Sequence, residues 1–175
     1  MAECRVRPAA DTDLLVLAQM RRSLAGHLAA CDPDIWELAP ERLLRMAEFY
    51  GEILKKENAR IFLALDSADT PIGMIMVRIL ENPTIRPSRF GRIDDAWVEP
   101  GCRRQGVMHA LVRAALEFIE NHGARHVMLD YSIQNAISAM AWQRLGFRPA
   151  LVVAQATLEQ IRQRCRGAKP RQTDV

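Results

Sequence analysis

The chain has 175 residues, a length typical of a single domain of roughly 100–200 residues. Apolar residues make up 49% and charged residues 26% of the chain, a composition that excludes an intrinsically disordered protein. The net charge of +3 is too small to indicate a nucleic-acid partner, and no apolar run approaches the roughly 20 residues that span a bilayer. The start of the chain lacks the apolar stretch of a signal peptide. We therefore expect a cytoplasmic domain over residues 1–160, followed by a basic tail over residues 161–175.

The first third of the chain predicts one strand and two helices. Residues 4–7 read as a short strand that a proline ends. Apolar residues then recur with helical spacing over residues 14–28, with Asp11 or Thr12 as the N-cap, and again over residues 40–54. The proline-containing stretch 31–40 is predicted to connect the two helices.

The pattern changes to short apolar runs in the middle of the chain. Strands are predicted at 61–65, 72–80 and 93–98. A helix, a strand, a helix and a last strand follow at about 104–121, 127–131, 136–145 and 151–156. The first three of these strands should form a meander. Because a helix joins the strand at 93–98 to the strand at 127–131, those two strands should be parallel. The sequence therefore predicts an α/β fold with a mixed, mostly antiparallel sheet flanked by helices.

The loop after the strand at 93–98 has the chemistry of an anion site. It carries Arg103, Arg104 and Gly106 immediately before a helix begins. The first turn of a helix presents N–H groups without partners and the positive end of its dipole. Gly106 lets the backbone approach a phosphate, and the arginines add charge. An ordinary turn with solvated arginines explains the loop as well, and the chain contains neither a GxGxxG nor a Walker motif.

The same loop resembles a known motif. The run Val98-x-Pro100-x-x-Arg103-x-x-Gly106-x-Met108 is similar to motif A of the GNAT superfamily of acetyl-CoA-dependent N-acetyltransferases. The resemblance implies a GNAT acetyltransferase domain with splayed central parallel strands.

A second motif follows at the spacing that this family shows. Asn135-x-x-Ser138, then Trp142 and Gly146-Phe147, resembles motif B of the GNAT superfamily. The two motifs occur in order and on the predicted elements, and the resemblance covers roughly residues 3–157.

The resemblance implies transfer of an acetyl group by direct attack of a primary amine on acetyl-CoA in a ternary complex. Acetyl-CoA is then a co-substrate, and no metal is involved. The acceptor would be a small-molecule amine or a peptide amine, with no nucleic-acid or membrane partner; a homodimer is left open. The residues that would contact the cofactor are Trp97, Val98, Arg103, Arg104, Gln105, Gly106, Val107, Met108, Asn135 and Ser138. The Val98 N–H would stabilise the oxyanion where a bulge splays the strands.

The chemistry also needs a base, because an alkylammonium of pKa about 10.4 is almost entirely charged near neutral pH. Family members commonly carry an acid at the position of Asp94, so Asp94 is the first candidate and Asp95 the second. Side chains alternate along a regular strand, so at most one of the two should face the cleft. Either carboxylate could instead lie on a solvated strand edge or bind the substrate ammonium without moving a proton.

Two residues depart from the family pattern. Met108 stands where Gly or Ala is usual, and Trp142 stands where a tyrosine is credited with protonating the departing thiolate. Tryptophan has no hydroxyl, so Tyr131 or water would supply that proton. The departures favour an alternative, a regulatory module of GNAT fold that binds an acyl-CoA without turnover. A third alternative is a nucleic-acid-binding or regulatory protein that uses the basic tail.

Overall fold

The computed structural model describes residues 4–36, 39–84 and 86–167. Its helices and strands are β1 (Arg5–Pro8), α1 (Leu14–Cys31), α2 (Pro33–Trp36), α3 (Pro40–Leu44), α4 (Met46–Leu54), β2 (Ala59–Leu65), β3 (Pro71–Glu81), β4 (Arg89–Val98), α5 (Val107–Asn121), β5 (Val127–Leu129), α6 (Ala136–Arg144) and α7 (Leu158–Gly167). No helix within these described ranges is both long enough and apolar enough to cross a lipid bilayer.

The chain divides into two compact units, Met1–Ala139 and Met140–Val175. The first unit contains the sheet, α1 to α5 and the start of α6. The second contains the end of α6 and all of α7. The predicted basic tail begins inside α7, and residues 168–175 lie outside the described residues.

The sheet has five strands in the order β1-β2-β3-β4-β5 among the described residues. The first four strands pair antiparallel, as the short connections between β2, β3 and β4 require. β4 and β5 are parallel, paired from Gly91–Val127 to Ile93–Leu129. The predicted mixed, mostly antiparallel sheet with a parallel pair is confirmed.

Helices cover the two faces of the sheet. On one face, Met74 and Met76 of β3 belong to a buried cluster with Leu17 and Leu24 of α1 and Ile53 of α4. On the other face, α5 packs against β2, β3 and β4. Strands β2 and β3 are covered on both faces, which explains why their sequences are apolar runs with little alternation.

The N-cap of α1 is Asp13 and not the predicted Asp11 or Thr12, and its side chain binds residues before the helix. Asp13 accepts hydrogen bonds from the Ala10 N–H at 2.8 Å and from Arg7 Nη1 and Nη2 at 2.7 and 2.9 Å. The hydrogen bonds from Arg7 lower the pKa of Asp13, against the opposing effect of burial. This contact fastens β1 to the helix that follows it.

The C-terminal half differs from the prediction in two places. The predicted strand over 151–156 is wrong: these residues form no strand, and Leu151, Val152 and Val153 are 81%, 87% and 90% exposed. A strand exists only where its backbone pairs with another strand, and no described strand pairs with this segment. The strand predicted over 127–131 also ends early, at Leu129.

The N-terminal helices differ less from the prediction than the C-terminal half does. The helix predicted over 40–54 is interrupted at Arg45, between α3 and α4. The predicted connection over 31–40 contains the short helix α2, and residues 37 and 38 lie outside the described residues.

Gly91→Ala should destabilise the fold, because α5 approaches β4 closely at this glycine. A methyl group at Gly91 would lie 2.4 Å from Ile119 Cδ1 and 2.6 Å from Ile119 Cγ1. Overpacking of this kind typically costs about 1–3 kcal/mol, measurable by urea unfolding. Gly26→Ala is the control, because nothing lies within 4 Å of a methyl group there. In a double-mutant cycle, Ile119→Ala should relieve part of the Gly91→Ala loss; a Gly91→Ala protein as stable as the wild type would contradict the close approach.

Candidate functional site

The two parallel strands separate in the middle of β4. Their last pair is Ile93–Leu129, but β4 continues to Val98. The chain after β5 is not a strand. Residues 94–98 and residues 130–135 are two segments that no longer pair with each other. We call the region between them the wedge.

An irregularity in β4 lies where the wedge begins. Val77 of β3 pairs with Ile93, whereas the adjacent Met76 pairs with Asp95. Asp94 is therefore an extra residue, and β4 has a bulge at that position.

The bulge places both aspartates on one side of the sheet. Asp95 pairs with Met76, and Asp94 is bonded to Arg78, which shares the face of Met76. At most one carboxylate was expected to face the cleft while the strand stayed regular. The strand is irregular at this position, so that restriction does not apply.

The same bulge sets the direction of the backbone at the end of β4. Val98 pairs with Gly73, and the next N–H, of Glu99, donates to the Ile72 carbonyl at 2.9 Å. In an antiparallel ladder, such a bond flanks a pair whose own N–H and C=O groups point away from the partner strand. The Val98 N–H therefore points away from β3, toward the wedge, and its carbonyl accepts a hydrogen bond from Arg103 Nε at 3.0 Å. If the same residues paired regularly, without the bulge, this N–H would point toward β3.

Asp95 is held by two side chains from the N-terminal helices. The Tyr50 hydroxyl of α4 donates to Asp95 Oδ2 at 2.9 Å, and Arg21 Nε of α1 lies 3.1 Å from Oδ1. Burial raises the pKa of Asp95, with a further contribution from Asp94, while Arg21, Tyr50 and Arg78 act in the opposite direction. Burial also raises the pKa of Tyr50, so that the phenol keeps its proton and remains a donor.

Arg21 has one further feature. Its Nη1 is buried and has no hydrogen-bond partner among the described residues. The guanidinium therefore offers an unused donor next to Asp95.

Two arginines bind the Asp94 carboxylate. Arg78 contacts it through two parallel bonds, Nε to Oδ2 at 2.5 Å and Nη2 to Oδ1 at 2.8 Å. Arg92 Nε donates to Oδ1 at 3.0 Å, and the other end of the Arg92 guanidinium binds Asp130. This ion network connects β3 and β4 to the chain after β5, at the narrow end of the wedge.

The loop that was predicted to bind an anion contains two residues in the left-handed conformation. Gly106 is the N-cap of α5 with φ +89°, and Arg104 has φ +62°. Gln105 Nε2 donates to the Gly101 carbonyl at 2.9 Å. These left-handed residues stand directly before the first turn of α5, whose N–H groups have no partner within the helix.

Arg103 connects this loop to the end of β4. Its guanidinium lies 4.8 Å above the centre of the Trp97 ring, in addition to its bond with the Val98 carbonyl. The Trp97 indole is buried and donates to Glu99 Oε1 at 3.0 Å. The loop and the strand end are therefore held as one structure.

The motif B residues of the first unit lie at the start of α6. Asn135 is buried, and its Oδ1 accepts the Ser138 N–H at 3.1 Å, which caps the helix. Tyr131 is partly buried in the segment between β5 and α6, not on the strand where it was expected. In the second unit, the Trp142 ring lies 5.5 Å from that of Phe147.

Sequence reasoning did not find the side chains that surround the two aspartates. Tyr50 and Arg21 lie on amphipathic helices, and Arg78 and Arg92 lie on strands. One weak signal was available, because a tyrosine on an apolar helix face needs a partner for its hydroxyl.

Comparison with known proteins identifies the class to which this geometry belongs. The sequence model described as the acetyltransferase (GNAT) family matches residues 22–147. The chain therefore belongs to the GNAT acetyltransferase family, and the predicted resemblance is confirmed.

Individual relatives agree with that assignment. Human N-acetyltransferase 8 is 35% identical over 94 residues, which is 53% of this chain and 40% of that protein. The chain spans about half the length of the curated relatives it matches, for example 54% of human N-acetyltransferase 8B.

Solved structures show the same fold. An aminoglycoside N-acetyltransferase, AAC(6')-Iy in complex with CoA, superposes with a TM-score of 0.73 at 23% identity, covering 90% of this chain and 95% of that one. A tetramutant of the BH1408 protein from Bacillus halodurans gives a TM-score of 0.77 at 16% identity, covering 88% of this chain and 99% of that one.

Tyr50→Phe should raise the pKa of Asp95 further, because it removes a hydrogen bond that stabilises the carboxylate. The Asp95 carboxyl resonance, followed by carbon-13 NMR against pH, should titrate at higher pH than in the wild type. Tyr131→Phe is the matched control, since it removes a hydroxyl without touching Asp95. An unchanged Asp95 midpoint in Tyr50→Phe would contradict the contact.

Proposed function

We propose that this chain transfers an acetyl group from acetyl-CoA to a primary amine by direct attack within a ternary complex. The observation that carries the proposal is the backbone of β4. The bulge at Asp94 turns the Val98 N–H toward the wedge, where a thioester carbonyl would find its donor. The anion loop and the start of α5 follow a few residues later along the same chain.

The loop fits the diphosphate of coenzyme A. The first turn of α5 supplies unpaired N–H groups, Arg104 supplies charge, and a methyl group built on Gly106 would meet nothing within 4 Å. We assign the diphosphate to residues 103–108, which include Gln105, Val107 and Met108. The thioester arm then lies in the wedge beside Trp97 and Val98 and contacts Asn135 and Ser138.

The reaction needs one bond to form and one to break. The neutral amine nitrogen attacks the thioester carbon, and the Val98 N–H stabilises the negative charge that develops on the carbonyl oxygen. The carbon–sulfur bond then breaks, the thiolate takes a proton from Tyr131 or from water, and the amide product loses one proton to a base.

Asp94 and Asp95 remain the proposed bases, and their contacts favour Asp95. Both carboxylates have a partner on each oxygen, but Asp94 accepts three hydrogen bonds from two arginines, whereas Asp95 is contacted by one arginine and one phenol. An amine would therefore displace fewer charged groups to reach Asp95. Asp95 has a raised pKa, which brings a carboxylate closer to the value that a base needs near neutral pH. Tyr50 and Arg21 hold it in one orientation.

For the acceptor amine, the structural neighbours support a chemical class and not a particular compound. Several of these are aminoglycoside acetyltransferases, which supports a small-molecule amine as the acceptor. A peptide amine is the alternative that an assay must include.

A second candidate function is an acyl-CoA-binding module without turnover. Trp142, which lacks the hydroxyl of the tyrosine usual in the family, is the observation that favours it. Thermal stabilisation by acetyl-CoA without release of CoA on any amine would support this candidate against the enzyme.

Coenzyme A release over a panel of small amines and peptide N-termini tests the enzyme directly. On an accepted amine, Asp95→Asn should lower kcat/KM by about 10²–10⁴-fold, the usual contribution of general base catalysis. Asp94→Asn is the matched control and should lose less. The Kd for coenzyme A should stay near the wild-type value in both. Equal rates for Asp95→Asn and the wild type at every pH would rule out Asp95 as the base.

Gly106→Ala should weaken coenzyme A binding by about tenfold, because a residue with a side chain loses roughly 1–2 kcal/mol in the left-handed conformation. The ligand-free loop of the variant would relax out of that conformation, and binding would have to restore it. Gly101→Ala in the same loop is the control: a methyl group there also meets nothing within 4 Å, but the backbone is not left-handed. Titration calorimetry gives both affinities. Equal losses in the two variants would argue against a diphosphate at the start of α5.

A further inference from the structure

His27 of α1 contacts both sides of the wedge. Its Nε2 lies 3.4 Å from Asn135 Nδ2, and its ring centroid lies 6.0 Å from that of Trp97 with the planes inclined at 62°. Trp97 stands at the end of β4, and Asn135 precedes α6. A side chain of α1 therefore connects the end of β4 to the segment before α6, beyond the last paired residues of β4 and β5.

The orientation of the Asn135 amide follows from the helix that it caps. Its Oδ1 accepts the Ser138 N–H at 3.1 Å, so Nδ2 is the atom turned to His27. Because Nδ2 can only donate, His27 Nε2 must accept, and the neutral imidazole carries its hydrogen on Nδ1. An imidazole with a hydrogen on Nε2 would set two donors against each other.

The contact with Trp97 extends this connection to the anion loop. Arg103 lies over the same indole at 4.8 Å and binds the Val98 carbonyl. His27, Trp97 and Arg103 therefore form a continuous series of contacts from α1 through the end of β4 to the loop. A substitution at His27 can therefore shift the side chains that line the wedge and the loop, although His27 belongs to neither segment.

We infer that His27 is a positioning residue of the cofactor cleft, which fixes the Asn135 amide and the spacing of the two sides of the wedge. The inference rests on the proposed function, in which the thioester arm lies in the wedge and contacts Asn135. His27 lies outside both sequence motifs, and its role depends on the fold that brings α1 against them.

The test compares two substitutions at this position. His27→Leu removes the acceptor, and His27→Gln keeps an oxygen that can accept from Asn135. We expect the Kd of coenzyme A and the KM of acetyl-CoA to rise about 5–10-fold in His27→Leu, the effect of one lost hydrogen bond. In His27→Leu kcat should change less than about twofold, and His27→Gln should restore most of the affinity. Gln19→Leu, on an exposed position of the same helix, is the control.

Nitrogen-15 NMR of the ligand-free wild type provides an independent readout. A hydrogen on Nδ1 and an unprotonated Nε2 support the inference, and a hydrogen on Nε2 overturns it. Equal coenzyme A affinity in His27→Leu and a binding-competent wild type would overturn the role of His27 alone. A loss in His27→Leu that His27→Gln does not rescue would likewise overturn it. A wild type that binds no coenzyme A would overturn the proposed function, and the cofactor role of His27 with it.

Discussion

The extra residue in β4 is the constraint on which the rest of the site depends. By inserting Asp94 between two paired positions, it reverses the alternation of the backbone for residues 95–98. One consequence is the Val98 N–H that points toward the wedge; the other is a pair of neighbouring carboxylates on one face of the sheet. A regular strand would offer neither, because alternation would send one carboxylate to the α5 face and the Val98 N–H into the ladder.

Neighbouring carboxylates in a half-buried place repel each other and lose hydration, so they must be compensated. The structure does this with partners from four elements: Arg21 from α1, Tyr50 from α4, Arg78 from β3 and Arg92 from β4. The partners are not equivalent. Asp94 is bound by the guanidinium groups of Arg78 and Arg92, whereas Asp95 is contacted by the Tyr50 phenol and by Arg21. The burial of Asp95 outweighs these partners and raises its pKa.

Sequence reasoning predicted the elements best where the pattern was strongly periodic. The helix α5 and the meander of β2, β3 and β4 were predicted within a few residues, because their apolar spacing and the prolines and glycines between them are local properties. The apolar run at 151–156 has the same local appearance, yet it forms no strand. Pairing depends on a partner that the run itself does not encode.

The sequence by itself determined the family, and it indicated the proposed anion loop and the two candidate carboxylates, because motifs A and B are local and ordered along the chain. Tertiary structure alone decided the bulge in β4, which sets the direction of its side chains and N–H groups over residues 95–98. It also decided the partners of each aspartate and the contact between His27 and Asn135, 108 positions apart. These features depend on register and on packing between distant elements. Both are settled only when the chain has folded and its side chains compete for the same space.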